Sequence, residues 1–229
     1  MWNGKLKAVT FSYDDGVLQD KRLIEIFNKY GLKATFNLNS ELFDNGPKKT
    51  RWKVQPHEVR NVYEGHEVAV HTLTHPRLTE LDDDEIIRQV EQDRKNLEEL
   101  VGYSITGMAY PCGGVNNDDR VAGIIRDHTP IRYARTITST YSFDLQDNLY
   151  RFNPTVYHIE LDKLFELGEE FLNSSPDKPQ LFYIWGHSYE FDELDESQTG
   201  ERWKKFEELC RMISGHKDIF YGTNRQVLL

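Results

Sequence analysis

Residues 7–20, KAVTFSYDDGVLQD, set two adjacent carboxylates, Asp14 and Asp15, where a short apolar run stops and a helical pattern begins. Like charges side by side repel, so the pair needs something that relieves it. One solution is a strand-ending Asp-Gly turn with an aspartate capping the next helix. The other is a cation, with Asp15 neutralised as a metal ligand and Asp14 left free as a general base. Further ligands are at hand in HEVAVHTLTHPRL (66–78), where His71 and His75 have the spacing H-x-x-x-H. That spacing would put both imidazoles on one face of a helix. Here His71 ends an apolar run and Pro76 disfavours helix at His75, so a tight loop is expected. One such pair among eight histidines is a weak signal alone, and His57 and His66 nearby read equally well as surface residues. Together, two imidazoles and one carboxylate make a three-ligand set for zinc that leaves a position open for water. Such a cation polarises a carbonyl and acidifies bound water.

Two more stretches end in the same way. MAYPCGGVNND (108–118) runs from a strand pattern into a Pro- and Gly-rich turn, with a helix from about Asn117. Glycines there let the backbone approach a ligand and aim N–H groups at it, although an ordinary strand-to-helix loop needs the same residues. Cys112 reads as a small buried thiol rather than a nucleophile. QLFYIWGHSYEFDELD (180–195) is a continuous apolar strand that stops at Gly186-His187. His187 is placed to protonate a leaving group, and Tyr183, Trp185, Tyr189 and Phe191 around it offer faces for a sugar ring. Some of those aromatics must be core, because strand side chains alternate.

The elements that must position these groups follow from hydrophobic period. Strand-length runs at 5–12, 33–39, 66–71, 105–111, 133–138 and 180–187, with a short one at 218–222, alternate with helical patterns at 17–30, 82–101, 117–127, 160–173 and 201–214. Gly31 and Gly102 read as helix stops, and Asp82, Asp83 and Asp84 suit the first turn of the second helix. The β-α-β-α order implies a parallel sheet, open or closed into a barrel. Residues 41–57 fit no element and read as an extended loop on a site rim. With no repeat, linker or low-complexity tract, residues 1–229 are expected to form a single domain.

Composition narrows the function classes. The chain is 38% hydrophobic and 29% charged, as suits one sizeable core. Its net charge of −10 argues against nucleic acid or an anionic membrane surface and favours a neutral or cationic substrate. No apolar run nears the roughly 20 residues of a membrane span. The N-terminal residues lack a signal-peptide pattern and there are only two cysteines, so the expected location is cytoplasmic unless a leader was removed. No protein partner is identifiable.

In this order, spanning residues 11–187, the motifs resemble the polysaccharide deacetylase family (carbohydrate esterase family 4). SYDDG is similar to its first motif, which assigns Asp14 as catalytic base and Asp15 as metal ligand. HTLTH matches its metal-binding H-[ST]-x-x-H at His71 and His75. YPCGG resembles R-x-P-Y-G, in which the residue after the proline, here Cys112, supplies an oxyanion backbone N–H. IWGH resembles the motif that ends in the general-acid histidine, His187. The resemblance implies a distorted (β/α) barrel of about seven parallel strands and one divalent ion, Zn²⁺ or Co²⁺, Ni²⁺ or Mn²⁺. The implied reaction is hydrolysis of an N-acetyl group on a GlcNAc-containing saccharide, with Trp185 and Tyr110 against the substrate. Two departures stand out. The third motif's arginine falls on Ala109, leaving Arg135 or Arg151 to replace it. The acid partner of the histidine is not evident, with Asp144, Glu190 and Asp192 as candidates. Hydrolysis of another C–N bond, such as a cyclic amide or imide, and a non-catalytic carbohydrate-binding relative are the alternative readings.

Overall fold

Strand β1 (Lys7–Asp14) is buried along its whole length, and its side chains divide cleanly. Val9, Phe11 and Tyr13 join the main hydrophobic core. Thr10, Ser12 and Asp14 point the other way, into hydrogen bonds with Asn224, Asn37 and Arg135. That alternation is the period of two of a pleated strand. It recurs in β2 (Ala34–Leu38), where Ala34, Phe36 and Leu38 are core while Thr35 and Asn37 face polar partners. Both faces of these strands are covered, one by apolar and the other by polar groups. The computed structural model describes residues 1–44 and 47–229.

The chain continues through α1 (Asp20–Tyr30), α2 (Pro56–Val62), β3 (Glu67–Val70), α3 (Asp83–Val101), β4 (Gly107–Ala109), α4 (Asp119–His128) and β5 (Tyr133–Arg135). Then come β6 (Val156–Tyr157), α5 (Leu161–Asn173), β7 (Gln180–Gly186), α6 (Glu190–Glu193), α7 (Glu201–Ile213), β8 (Ile219–Tyr221) and α8 (Asn224–Leu228). Helix ends follow the expected chemistry. Gly31 and Gly102 close α1 and α3 in the left-handed conformation, at φ 68° and 81°, and the Asp82 carboxylate accepts from the Glu85 N–H.

All named strand pairs are parallel, in the order β5-β4-β3-β2-β1-β7-β6. β2 flanks the upper half of β1 (Phe11–Asp14) and β8 the lower half (Lys7–Val9), so one side of the central strand serves two neighbours. The ends of the sheet are linked by one segment. Phe152 N–H donates to Ala134 O on β5, and Thr155 N–H donates to Tyr183 O on β7. The result is a curled parallel sheet with helices outside, a distorted (β/α) barrel as expected.

Its interior is polar. Near the lower end, Glu67 accepts from Thr35 Oγ1 at 2.8 Å, Tyr133 OH at 2.9 Å and Arg225 N–H at 2.9 Å. Burial pushes its carboxyl pKa up despite those bonds. At the upper end, β strands deliver the candidate chemical groups.

Several elements differ from the sequence reading. β5 stops at Arg135 and β4 covers only 107–109, because both curl into loops at the upper rim. β6, α2, α6 and α8 were not foreseen. They run to two, seven, four and five residues, too short to show a period. Within 41–57, a 3₁₀ turn forms at Lys49–Arg51 and α2 begins at Pro56; residues 45 and 46 lie outside the described residues. No helix of the described residues is long and apolar enough to cross a membrane.

Candidate active site

Asp14 and Asp15 end β1, and the chain turns there with Asp15 at φ 78° and Gly16 at φ 61°. Thr72 and His75 in the loop after β3, and Cys112 after β4, also have positive φ, at 68°, 58° and 66°. Left-handed non-glycine residues are strained, and four of them gather at the upper rim, as strained backbone commonly does at functional sites.

The loop carrying both histidines is fixed from below. Asn39 Nδ2 donates to the carbonyls of His71 and Thr72, at 2.5 and 2.8 Å. Asp93 on α3 accepts from the His71 N–H at 3.2 Å and the Ser40 N–H at 2.7 Å. Gln89 holds Leu73 N–H through its backbone carbonyl and Thr74 N–H through its side chain. Gln89 and Asp93 lie in the buried stripe of α3 between Ile86, Val90 and Leu97. Two polar residues inside an apolar stripe were the sequence signal for this support.

His71 Nδ1 lies 2.9 Å from Ala109 O. A carbonyl only accepts, so Nδ1 carries the proton and Nε2 keeps its lone pair. Burial pushes the His71 pKa down to about 4, which keeps the ring neutral. Nε2 is 3.9 Å from Asp15 Oδ1, and His75 Nε2 is 3.7 Å from the same oxygen. The three donor atoms all lie within 4.8 Å of one another. Donors about 2.0–2.2 Å from a tetrahedral zinc stand roughly 3.3–3.6 Å apart, so a small contraction closes this set on a divalent ion. The donor set of two imidazoles and a carboxylate suits zinc and its first-row neighbours.

Asp14 stands beside that triad, with Oδ2 3.9 Å from His71 Nε2, and is anchored from inside the barrel. Arg135 Nη2 is 2.5 Å from both of its oxygens, and Asn37 Nδ2 donates at 2.8 Å. Burial works to raise the Asp14 pKa, but Arg135, with His71 and His187, outweighs it and holds the carboxyl below its usual range. Arg135 is itself fully buried, with Ser12, Thr136 O and the Trp185 ring as further partners. In the β4–β5 register Arg135 is the partner of Ala109, so the guanidinium missing from β4 is supplied one strand to the side. Arg151, the other candidate, instead bonds Asn117 and Asp119.

His187 faces Asp14 across the mouth, with Nε2 4.0 Å from Oδ2. Its Nδ1 lies 3.2 Å from Glu190 Oε2, which also accepts from the His187 N–H at 3.1 Å. Glu190 is further bonded by Tyr157 OH and by His158 Nε2 at 2.7 Å. Burial raises the Glu190 pKa, but bonds to His158 and His187 dominate and keep it ionised well below the usual carboxylate range. Burial likewise opposes a charge on His187, and Glu190, Asp14 and Asp15 together lift its pKa above the ordinary value. Gly186 makes this packing possible, since a Cβ there would sit 2.1 Å from His158 Cδ2. Of the other acid candidates, Asp144 pairs with Lys178, and Asp192 bonds Gln19 and Trp203.

A cavity of about 380 Å³ opens over these groups, lined by both aspartates, His71, His75, His187, Cys112, Tyr110, Trp185, Tyr189 and Arg51. Cys112 Sγ lies 3.7 Å from His75 Nδ1 and 3.4 Å from His75 O. Two residues meet the cavity differently from expectation. Trp185 stacks on Tyr157 at 4.3 Å and has the Arg135 guanidinium 4.6 Å over its ring, so no face is left for a sugar. Its buried indole N–H has no acceptor among the described residues and is what it can offer a ligand. Tyr110 spends its hydroxyl on Tyr150 O and contributes ring wall.

A sequence model described as polysaccharide deacetylase matches residues 3–128. The chain is 28% identical over 118 residues to a peptidoglycan-N-acetylmuramic acid deacetylase of Bacillus subtilis, covering 52% of this chain and 24% of that protein. It is 29% identical over 142 residues to chitin deacetylase 1 of Cryptococcus neoformans, covering 59% and 28%. The chain thus spans about a quarter of the length of these curated relatives. Among solved structures, a family 4 acetyl xylan esterase from Clostridium thermocellum, in complex with cobalt, aligns with a TM-score of 0.59 at 13% identity. That alignment covers 96% of this chain and 90% of the esterase, and it concerns the fold alone.

Proposed function

The chain belongs to the polysaccharide deacetylase family, and from that premise we propose that it is a metal-dependent hydrolase that removes N-acetyl groups from an N-acetylated saccharide. The observation that carries the reading is the placing of Asp14. It sits next to a three-donor cation site, is held ionised by a buried arginine, and faces a histidine with its own carboxylate partner.

Asp15, His71 and His75 would hold one ion, with zinc, cobalt, nickel or manganese as the candidates. When bound, that ion supplies Lewis-acid polarisation of the acetamido carbonyl and acidifies water beside it. The protein's own groups account for the proton movements. Asp14, ionised and short of donors on its mouth side, accepts a proton from the attacking water. The Cys112 N–H, held at the turn by the left-handed backbone, donates to the oxygen that gains charge. His187 Nε2 gives a proton to the departing nitrogen, and Glu190 stabilises the charged imidazole before that transfer. Tyr157 and His158 fix Glu190, so they position rather than react. Products are acetate and a free amine.

The test is acetate release from N-acetylglucosamine oligomers by protein loaded with zinc or cobalt. Asp14→Asn is expected to keep its metal and lose roughly 10²–10⁴ in kcat. Full activity in metal-loaded Asp14→Asn would remove Asp14 from the mechanism. Saccharide binding with no acetate release by the metal-loaded wild type would instead assign the non-catalytic reading.

A further inference from the structure

The segment 47–53, PKKTRWK, carries four cations in a chain of net charge −10. Arg51 brings that charge to the cavity that holds Asp14 and His187. Its guanidinium lies over the Tyr189 ring, 4.0 Å from the centroid. Glu193 takes its Nε and Nη2, each at 3.1 Å. Nη1 has no hydrogen-bond partner among the described residues. A stacked, bidentate-held guanidinium is fixed in plane and direction, so one edge stands preset at the mouth. Glu193 is shared, because Lys48 Nζ also approaches it to 2.7 Å, so one carboxylate faces two cations. Arg51 lies within electrostatic reach of Asp15, which helps to raise its pKa behind Glu193 and Tyr189.

We propose that the site selects an anionic N-acetylated saccharide, with a carboxylate or phosphate on Arg51 while the acetamido group lies between Asp14 and His187. This names the substrate class within the deacetylase reading above and rests on it. Arginine presents its donors in a fork that matches carboxylate and phosphate geometry, and a neutral sugar leaves that edge to water. The total charge of −10 favours a neutral or cationic substrate, but an anionic group that reaches the cavity wall at Arg51 meets a guanidinium directly.

The experiment compares kcat/KM for acetate release from three probes. They are an N-acetylglucosamine oligomer, an oligomer containing N-acetylmuramic acid, which adds a carboxylate, and N-acetylglucosamine 1-phosphate. Wild type is expected to prefer at least one anionic probe by roughly tenfold, the usual worth of a charged hydrogen bond. The preference should shrink as salt rises, and which probe gains identifies carboxylate or phosphate. Arg51→Gln should bring the anionic-to-neutral ratio near one, and Arg51→Lys should keep part of it. The Arg51 side chain is 48% exposed, so neither change opens a core cavity, and melting curves will verify that. Equal or better turnover of the neutral oligomer by wild type overturns the inference and leaves the deacetylase reading standing. Equilibrium binding of the same probes separates the two claims when no acetate appears. An anion preference in binding that Arg51→Gln abolishes supports the inference and overturns the deacetylase reading. Binding without any preference overturns the inference.

Discussion

The Arg135 guanidinium is fully buried, and the Asp14 carboxylate 2.5 Å away is what makes that tolerable. Removing one partner of a buried pair strands the other charge, at a cost of roughly 3–5 kcal/mol. Arg135→Gln is therefore expected to destabilise the protein by about that much in urea titration. Adding Asp14→Asn to it should recover part of the loss, because the orphaned charge goes too. Additive losses in the double variant would show that the pair is not coupled. Asp14, Asp15, His71 and His187 were legible as candidates because each stands at the end of a strand pattern at one edge of a parallel sheet, and His75 through its spacing from His71. Their supports were legible only as alternatives. Arg135 was one of two arginines; it meets Asp14 across 121 residues of sequence, and the lateral register of two three-residue strands is what selects it over Arg151. Glu190 was one of three acids near the motif, and the tight turn after His187 is what selects it.

Asp20 shows how the elements around the site are tied. It opens α1, is fully buried, and accepts from Ser188 Oγ at 2.6 Å and from Tyr63 OH, beside α2, at 2.8 Å. Burial pushes its pKa up to about 7, against those two bonds. A raised pKa means the folded state holds the proton more tightly than the unfolded state does. Its stabilising contribution is therefore full below about pH 4 and is lost as pH rises through about 7, a swing of about 4 kcal/mol. Asp20→Asn stays neutral throughout. The Tm difference, variant minus wild type, should grow from pH 4 to pH 8 and then level off. A difference that does not vary with pH would place no buried proton at Asp20. Long elements such as α3, with its acidic first turn and glycine stop, could be read directly from the sequence. Short ones such as β6 and α8 exist because tertiary partners hold them, and no local pattern announces them.

At the scale of the whole molecule, the candidate ion would join the end of β1 to the loop after β3, two regions that separate on unfolding. A ligand at 100 times its dissociation constant that binds only the folded state adds about 2.7 kcal/mol. For a chain of this size that corresponds to roughly 5–10 °C in Tm. Scanning calorimetry with zinc and with chelator should show that gap for wild type and not for His71→Ala. Equal melting with and without zinc in wild type would exclude a site of useful affinity. The barrel class was legible from the strand–helix rhythm. Its polar bore was not read, although Thr10, Ser12 and Asp14 alternate with Val9, Phe11 and Tyr13 along the first strand.

The shared flank of β1 sets the order in which the molecule can be finished. Residues 7–14 leave a ribosome before all of their strand neighbours, which are residues 180–186 and 219–221 as well as the nearby 34–38. Pairings over such distances in sequence slow folding. Until the last of them arrives, this strand keeps an open edge that other chains can join. Asp14 is thus made before the other acidic and basic groups at the mouth and has its partners once residue 187 is added, while the lower half of the same strand still waits for residues 219–221, so the groups at the mouth are assembled before the edge is closed.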